Sequence, residues 1–287
     1  MKDFKNKVAL ITGAANGFGR EFVKECVKRG MRIAAVDIES GELEALKEAV
    51  SAMGSEIICI PADVTKFEDA EYAVAQTVEA YGQIDLLMNN AGVALFGYVW
   101  DVRIRDWEWI IHANLMSHVY FMKLVIPIML KQKTHCHIVN TVSVAGVLTS
   151  SGASSYHATK HAAIALSECV SYDLQAIGAD ICVSVYCPGF VQTDLHHSER
   201  HRPPQYTDES DPYYTSPSYY TNLKAVEQLI TTGIPIDSVG MRVFAAIEDE
   251  DFYILTDPIY TTLIGKRVTD MLSGKGPDLK STQMPFS

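Results

Sequence analysis

The 287-residue chain has no C-x-x-C pair: its six cysteines, Cys26, Cys59, Cys136, Cys169, Cys182 and Cys187, are scattered along it. That distribution argues against a disulfide framework and for thiols held in a reducing compartment, so the expected location is the cytoplasm. Clustered basic residues are missing too, since 24 Lys and Arg face 35 Asp and Glu for a formal charge of −11. Binding to a nucleic-acid backbone therefore has little electrostatic support. No uninterrupted apolar run approaches the roughly 20 residues that span a bilayer. The start, "MKDFKNKVALITGAANG", lacks the longer apolar region and small-residue cleavage site of a leader. There is no internal repeat. With 48% hydrophobic residues, the chain can bury the core of one large α/β domain.

Short apolar runs alternate with longer amphipathic segments, the pattern of a parallel sheet covered by helices. Strands are expected at "KVALIT", "MRIAAVD", "EIICIPAD", "IDLLMNN", "HIVNTVS", "ICVSVYCPG" and "DFYILTD". Helices are expected at Gly17–Arg29, Glu39–Met53, Lys66–Tyr81, Arg105–Lys131 and Ser155–Ile177, giving an α/β, Rossmann-type doubly wound parallel sheet with helices on both faces. Ligands bind such sheets beyond the carboxyl ends of the strands. Residues 1–273 read as one catalytic domain. Within it, 193–222 shows no clear period but holds five tyrosines, which favours a substrate lid over a disordered segment. Residues 274–287 read as a flexible tail.

The first strand runs into "ITGAANGFGRE", with Gly13, Gly17 and Gly19 in a G-x-x-x-G-x-G spacing and Asn16 and Phe18 between them. A β-carbon there would block the approach of a pyrophosphate to backbone N–H groups at a helix N-terminus. Asp37 closes the second strand, 18 residues after Gly19, where a carboxylate accepts both ribose hydroxyls and repels a 2′-phosphate. Neither Asn16 nor Ile38 adds a positive charge, so NAD is expected over NADP. Asp63 and Val64 after the third strand are placed to frame adenine. Asn90, Ala91 and Gly92, in "NNAG" after the fourth strand, put small and amide groups where backbone must come close to a ligand.

Tyr156 and Lys160 stand four residues apart at the start of a helix and so share one face. A nearby ammonium stabilises phenolate, so the spacing predicts a tyrosine whose pKa is lowered from about 10 toward neutrality, fit for proton exchange. Ser143 follows the fifth strand, 13 residues before Tyr156, at the mouth of the sheet. Asn114 lies inside the long helix, where asparagine is a poor interior residue.

Taken together, "TGAANGFG" at Thr12–Gly19, "NNAG" at Asn89–Gly92, Asn114, Ser143, "YHATK" at Tyr156–Lys160 and "PGFVQT" at Pro188–Thr193 resemble the classical short-chain dehydrogenases/reductases, in family order from about Val8 to Thr193. The resemblance implies reversible hydride transfer between nicotinamide and a carbinol carbon. It implies Tyr156 as acid or base, Ser143 holding the substrate oxygen and Lys160 on the nicotinamide ribose. It also implies Asn114 at a helix irregularity that holds a water leading from Lys160 to solvent. Pro188, Gly189 and Val191 would contact the carboxamide, with the Thr193 hydroxyl nearby.

Phe96, Tyr98, Val147, Leu148, Phe190 and the lid tyrosines offer an apolar pocket, so the expected substrate is a bulky secondary alcohol or its ketone: a hydroxysteroid, a bile-acid-like compound or an aryl carbinol. A 3-oxoacyl carrier protein is a second candidate, weakened by the five acids against two arginines in 194–222. A non-catalytic NAD sensor or scaffold is a third, weakened by the presence of all four catalytic groups. "HCH" at His135–His137 precedes a strand and has no second ligand cluster at a defined spacing, so no metal is expected. His196, His197 and His201 read as solvated, and Trp100, Trp107 and Trp109 as core or interface. Many members of the family end in a glycine-rich segment used in tetramers, whereas here "PIYTTLIGKRVTDML" reads as an added helix. A homodimer through Arg105–Lys131 and Ser155–Ile177 is expected, with a tetramer as the alternative.

Overall fold

The structure is a computed structural model that describes residues 1–208 and 210–279. Seven parallel strands form one sheet in the order β3-β2-β1-β4-β5-β6-β7. They are β1 (Val8–Thr12), β2 (Arg32–Asp37), β3 (Ile57–Pro61), β4 (Leu86–Asn89), β5 (Cys136–Thr141), β6 (Ile181–Cys187) and β7 (Tyr253–Leu255). Six lie within the runs expected for them, and β5 starts one residue before its run, at Cys136; most ends are displaced by a residue or two. The helices are α1 (Gly17–Lys28), α2 (Ser40–Ala52), α3 (Phe67–Tyr81), α4 (Ile104–Ile111), α5 (Ser117–Gln132), α6 (Ser154–Ala176), α7 (Pro217–Thr231), α8 (Val239–Asp249) and α9 (Pro258–Leu272).

Alternation along the strands supplies both cores. Ala9, Ile11, Ile33, Ala35, Met88 and Val139 face one layer, packed with Phe22 of α1 and Val243, Phe244 and Ile247 of α8. Leu10, Ala34, Val36, Leu87 and Ile138 face the other, packed with Phe121 and Val125 of α5 and Leu174 of α6. Burial on both faces explains why these strands read as nearly continuous apolar runs. Each fully buried large side chain contributes about 1.5–3 kcal/mol. Because the strand order reverses between β1 and β4, a crevice opens beyond their carboxyl ends, which is where the candidate residues gather.

Four expectations change. The long helix is broken by a π-helical turn at His112–Met116, which contains Asn114. One window of the combined Ile104–Gln132 helix is long and apolar enough to cross a membrane, but 44% of that window is buried inside the fold. The segment expected as an aperiodic lid is folded: three 3₁₀ turns at Leu195–His201, Pro204–Tyr206 and Pro212–Thr215 lead into α7. Pro217 at the first helical position and the Ser216 side chain accepting from Tyr219 N set that start. α8 was not expected, although Val239, Val243 and Ile247 already carried a helical spacing. Of the expected tail, residues 280–287 lie outside the described residues, and Lys275–Asp278 run along the larger cavity rather than away from it.

Candidate active site

Two adjoining cavities open at the carboxyl end of the sheet. The smaller, about 170 Å³, is lined by Gly13, Asn16, Gly17, Phe18, Asp37, Ile38, Asp63, Val64, Asn90, Ala91, Gly92 and Thr193, among others. These are most of the residues expected to hold the cofactor. Gly13 adopts φ 61°, and a β-carbon there would lie 2.9 Å from Ala91 Cα, so only glycine fits this turn. Gly19 does not line the cavity; its place is inside α1, against the Gly13 carbonyl.

Asp37 Oδ2 accepts from Ala15 N at 2.9 Å and Oδ1 from Glu39 N at 3.1 Å, which ties the end of β2 to the glycine turn. Burial raises the Asp37 pKa, and the two backbone N–H groups partly offset that. Glu39, which the sequence reading passed over, accepts from Asn16 Nδ2 at 2.7 Å and Arg200 Nε at 3.1 Å and lies 3.2 Å from His201 Nε2. The positive charge thought missing from this end is therefore present, brought by the segment after β6 and engaged by Glu39 and Asp194. His201 lines the cavity rather than facing only solvent.

The larger cavity, about 670 Å³, has Ser143 and Tyr156 in its wall. Phe96 stacks on the Tyr156 ring with centroids 5.8 Å apart. Ser143 Oγ accepts from Ala145 N at 3.1 Å and donates to Pro188 O at 3.4 Å. Its backbone sits at φ 152°, a conformation usually left to glycine. Lys160 Nζ lies 5.6 Å from the Tyr156 ring centroid and donates to Thr141 O at 3.2 Å. Asn114 clamps the backbone of Val93: its Oδ1 accepts from Val93 N at 2.8 Å and its Nδ2 donates to Val93 O at 2.9 Å. The irregular turn implied for Asn114 is present. One turn further on, His118 is fully buried beside Lys160, neither ring nitrogen has a partner among the described residues, and burial together with that charge lowers its pKa to about 3.

The expected lowering of the Tyr156 pKa does not hold for the protein alone. Burial pushes the phenol up to about 12, with only the Ser143 hydroxyl pulling it back. The same burial pushes Lys160 down to about 8. Desolvation outweighs the i to i+4 approach, because both groups are taken out of water together.

Phe96, Tyr98, Leu148 and Phe190 line the larger cavity as expected, but Val147 and the tyrosines of 193–222 do not; Gly189, expected at the cofactor, also lines it. Tyr213, Tyr214 and Tyr219 pack edge to face on one another instead, with centroids 5.3–5.5 Å apart. They surround a buried ion pair. Arg202 Nη1 lies 2.5 Å from Asp106 Oδ1, the guanidinium sits 4.3 Å above the Trp109 ring, and Tyr214 donates to Asp106 at 2.8 Å. This anchor fixes the segment onto α4. The remaining cavity wall comes from Val226, Leu229 and Ile230 of α7 and Leu263, Lys266, Arg267 and Met271 of α9, which the sequence reading did not assign to a pocket. Pro188 and Val191 line neither cavity. A β-carbon on Gly189 would strike the Tyr260 ring, so α9 packs directly on this loop.

The sequence matches the short chain dehydrogenase family over residues 7–204. It is 49% identical over 279 residues to the CLA biosynthesis dehydrogenase/reductase of Lactiplantibacillus plantarum, covering 97% of this chain and 98% of that one. It is 31% identical over 191 residues to the 3-oxoacyl-(acyl-carrier-protein) reductase FabG of Staphylococcus epidermidis, covering 66% of this chain and 77% of that one. Among solved structures, a short chain dehydrogenase/reductase from Burkholderia phymatum in complex with NAD is 33% identical, with a TM-score of 0.94 over 100% of both chains.

Proposed function

The chain belongs to the short-chain dehydrogenase/reductase family, and from that membership we propose that it is an NAD-dependent oxidoreductase interconverting a bulky, largely apolar secondary alcohol and its ketone. One observation carries the reading: Tyr156 and Ser143 form the wall of a cavity of about 670 Å³ that adjoins the Asp37-lined crevice.

In this reading the glycine turn receives the pyrophosphate, Asp37 the adenosine ribose and Lys160 the second ribose. The Gly13 cradle, which a β-carbon would fill, fits such a group. Bound there, the nicotinamide supplies the hydride acceptor or donor. Ser143 Oγ holds the substrate oxygen and Tyr156 Oη takes its proton on oxidation or returns it on reduction. With the phenol at about 12 in the protein alone, Tyr156 depends on positive charge at Lys160 and at the cofactor to ionise. Asn114 keeps Val93 and the π-helical turn in register behind Lys160. The two acids Asp37 and Glu39 disfavour a 2′-phosphate, and Arg200 is already committed to Glu39 and Asp194.

The cavity also narrows the substrate class. Its walls are apolar, while its rim on α9 and the segment after it carries Lys266, Arg267 and Lys275 against Asp270 and Asp278. Lys266 is paired with Asp270. Among the described residues, no carboxylate lies within ion-pair distance of Arg267, whose guanidinium meets His161 Nε2 at 3.4 Å. An apolar carbinol with an anionic end suits this wall. A bile-acid-like compound and a hydroxylated long-chain fatty acid both have that form. The carrier-protein reading draws on the FabG likeness, but that match leaves a third of this chain uncovered.

Nicotinamide absorbance tests the proposal, with NAD or NADP and a panel of hydroxy fatty acids, bile acids, aryl carbinols, small polyols and a carrier-linked 3-oxoacyl group. Turnover of apolar carbinols with NAD is the expected result. Preference for polyols or for the carrier-linked substrate overturns it. A homodimer through α5 and α6 is part of the same reading, supported by Leu130, Tyr172 and Ile177 exposed at the ends of these helices; sedimentation of a Tyr172→Asp, Ile177→Asp variant as a monomer is the expected check.

A further inference from the structure

The opposite end of β5 and β6 carries a cluster that no step above uses. His137 and Cys182 are register partners in the two strands, so their side chains leave the same face of the sheet. His135 stands two residues before His137. One ligand atom from each of His135, His137 and Cys182 lies within 4.8 Å of the other two. Glu250, just past α8, brings its Oε1 to 3.3 Å from His135 Nε2.

The hydrogen bonds around the cluster determine where the ring protons sit. Ser184 Oγ donates to Asp251 O at 2.6 Å, so it meets His137 Nε2, 2.7 Å away, as an acceptor. The His137 proton is therefore on Nε2 and the Nδ1 lone pair is free. His137 is fully buried, and Nδ1 has no hydrogen-bond partner among the described residues. Likewise His135 Nδ1 lies 2.6 Å from Asp180 Oδ1, which as a carboxylate accepts its proton. His135 Nε2, also buried, then faces Glu250 without a hydrogen bond. A lone pair and a carboxylate oxygen this close require a cation or a proton between them. A second proton on His135 answers that contact but leaves His137 Nδ1 unpartnered, at the cost that any buried polar atom without a partner carries.

We propose that His135, His137, Cys182 and Glu250 form a binding site for a transition-metal dication of the Zn²⁺ type. Two imidazole nitrogens, a thiolate and a carboxylate are a borderline-soft set suited to tetrahedral Zn²⁺. Each imidazole already donates its other N–H to a hydroxyl or a carboxylate, the arrangement that orients metal-binding histidines. Bonds of about 2.0–2.3 Å draw the ligand atoms somewhat closer together, a shift within side-chain torsional reach. The His135 and Glu250 side chains are 29% and 45% exposed, so an ion reaches the site without opening the core. The Met1 amino group lies 3.5 Å from Glu250 Oε1 and shares or yields that oxygen. With all four ligands from the protein, the ion ties β5, β6 and the turn after α8 together and takes no part in hydride transfer.

The test uses the full-length, untagged protein, stripped with a chelator and titrated with Co²⁺ alone. The expected result is one equivalent per chain, tetrahedral absorption with a thiolate-to-cobalt charge-transfer band, and displacement by Zn²⁺. Cys182→Ser removes that band while dehydrogenase turnover stays unchanged. Ser184→Ala, which frees the His137 tautomer, weakens binding by about 10–100-fold. Glu250→Gln, on an exposed residue, weakens uptake even if the strand variants fold poorly. Failure to bind Co²⁺ in stoichiometric amount overturns the proposal. So does a Co²⁺ spectrum unchanged in both Cys182→Ser and Glu250→Gln, which would assign the ion to another site such as the surface group Asp194, His196 and His197.

Discussion

β5 and β6 carry a cluster of reactive side chains at each of their ends, and the two clusters are built differently. Beyond their carboxyl ends, Ser143 and Pro188 follow the strands directly and meet Tyr156 and Lys160 from the next helix. At their amino ends, His137 of β5, Cys182 of β6 and His135 just before β5 meet Glu250, which arrives only after α8. The first group follows from topology, since open parallel sheets place ligands at the carboxyl ends. The second joins two paired strand residues to one residue before β5 and one just past α8. A motif reading therefore finds the first, while of the second it sees only His135 and His137 and not the residues that join them.

Mutations that separate the two ends sharpen this contrast. Tyr156→Phe should lower turnover by about 10²–10⁴-fold while leaving cofactor affinity and Co²⁺ uptake in place, as stopped assays and titration would read; a loss of both would mean that the ends are coupled. Arg202→Met removes one partner of the buried pair with Asp106 and should cost about 3–5 kcal/mol in denaturant unfolding. A loss under 1 kcal/mol would mean that the 193–222 segment is not anchored as described. Asp37→Ala should relax the NAD preference by roughly tenfold, about the 1.4 kcal/mol of one well-placed polar contact; an unchanged NAD to NADP ratio of kcat/KM would remove Asp37 from that role.

Lys160 gives a pH test. Its pKa in the fold is lowered to about 8 from 10.5, so below pH 8 folding bears the full cost of a buried ammonium. As pH rises from 8 toward 10.5, the folded chain releases a proton that the unfolded chain keeps, and stability rises. Lys160→Met should therefore lose turnover yet unfold no more easily than the parent at pH 7, with its relative advantage shrinking between pH 8 and 10. An advantage that grows across that window contradicts the burial of this charge. The smallest effect belongs to the other end: Cys182→Ser, with or without Zn²⁺, should leave kcat and KM within error.

Much of the upper end was legible because its signals are local. Glycine spacing, a carboxylate closing β2 and the Tyr156–Lys160 step of one helical turn are properties of short stretches, and twelve of the expected cofactor residues line one cavity. Glu39 and Arg200 escaped notice because their value lies in each other, 161 positions apart. The tyrosines of 193–222 were expected to wall the substrate pocket, and they pack on one another and on α4 instead. Their partners, Asp106 and Arg202, are ordinary charged residues until burial pairs them.

By itself the sequence determined the seven strands, the doubly wound order of elements and the glycine turn, and it singled out the four groups proposed as catalytic. Periodicity and motif spacing are set by backbone geometry within a few residues, and survive in any fold that uses them. Only the tertiary structure decided the rest. It put α7 and α9 across the cavity, raised the Tyr156 phenol through burial, and brought Cys182 and Glu250 to the two histidines that stood alone in the sequence. Desolvation and long-range packing depend on what the whole chain buries, and no local spacing carries that information.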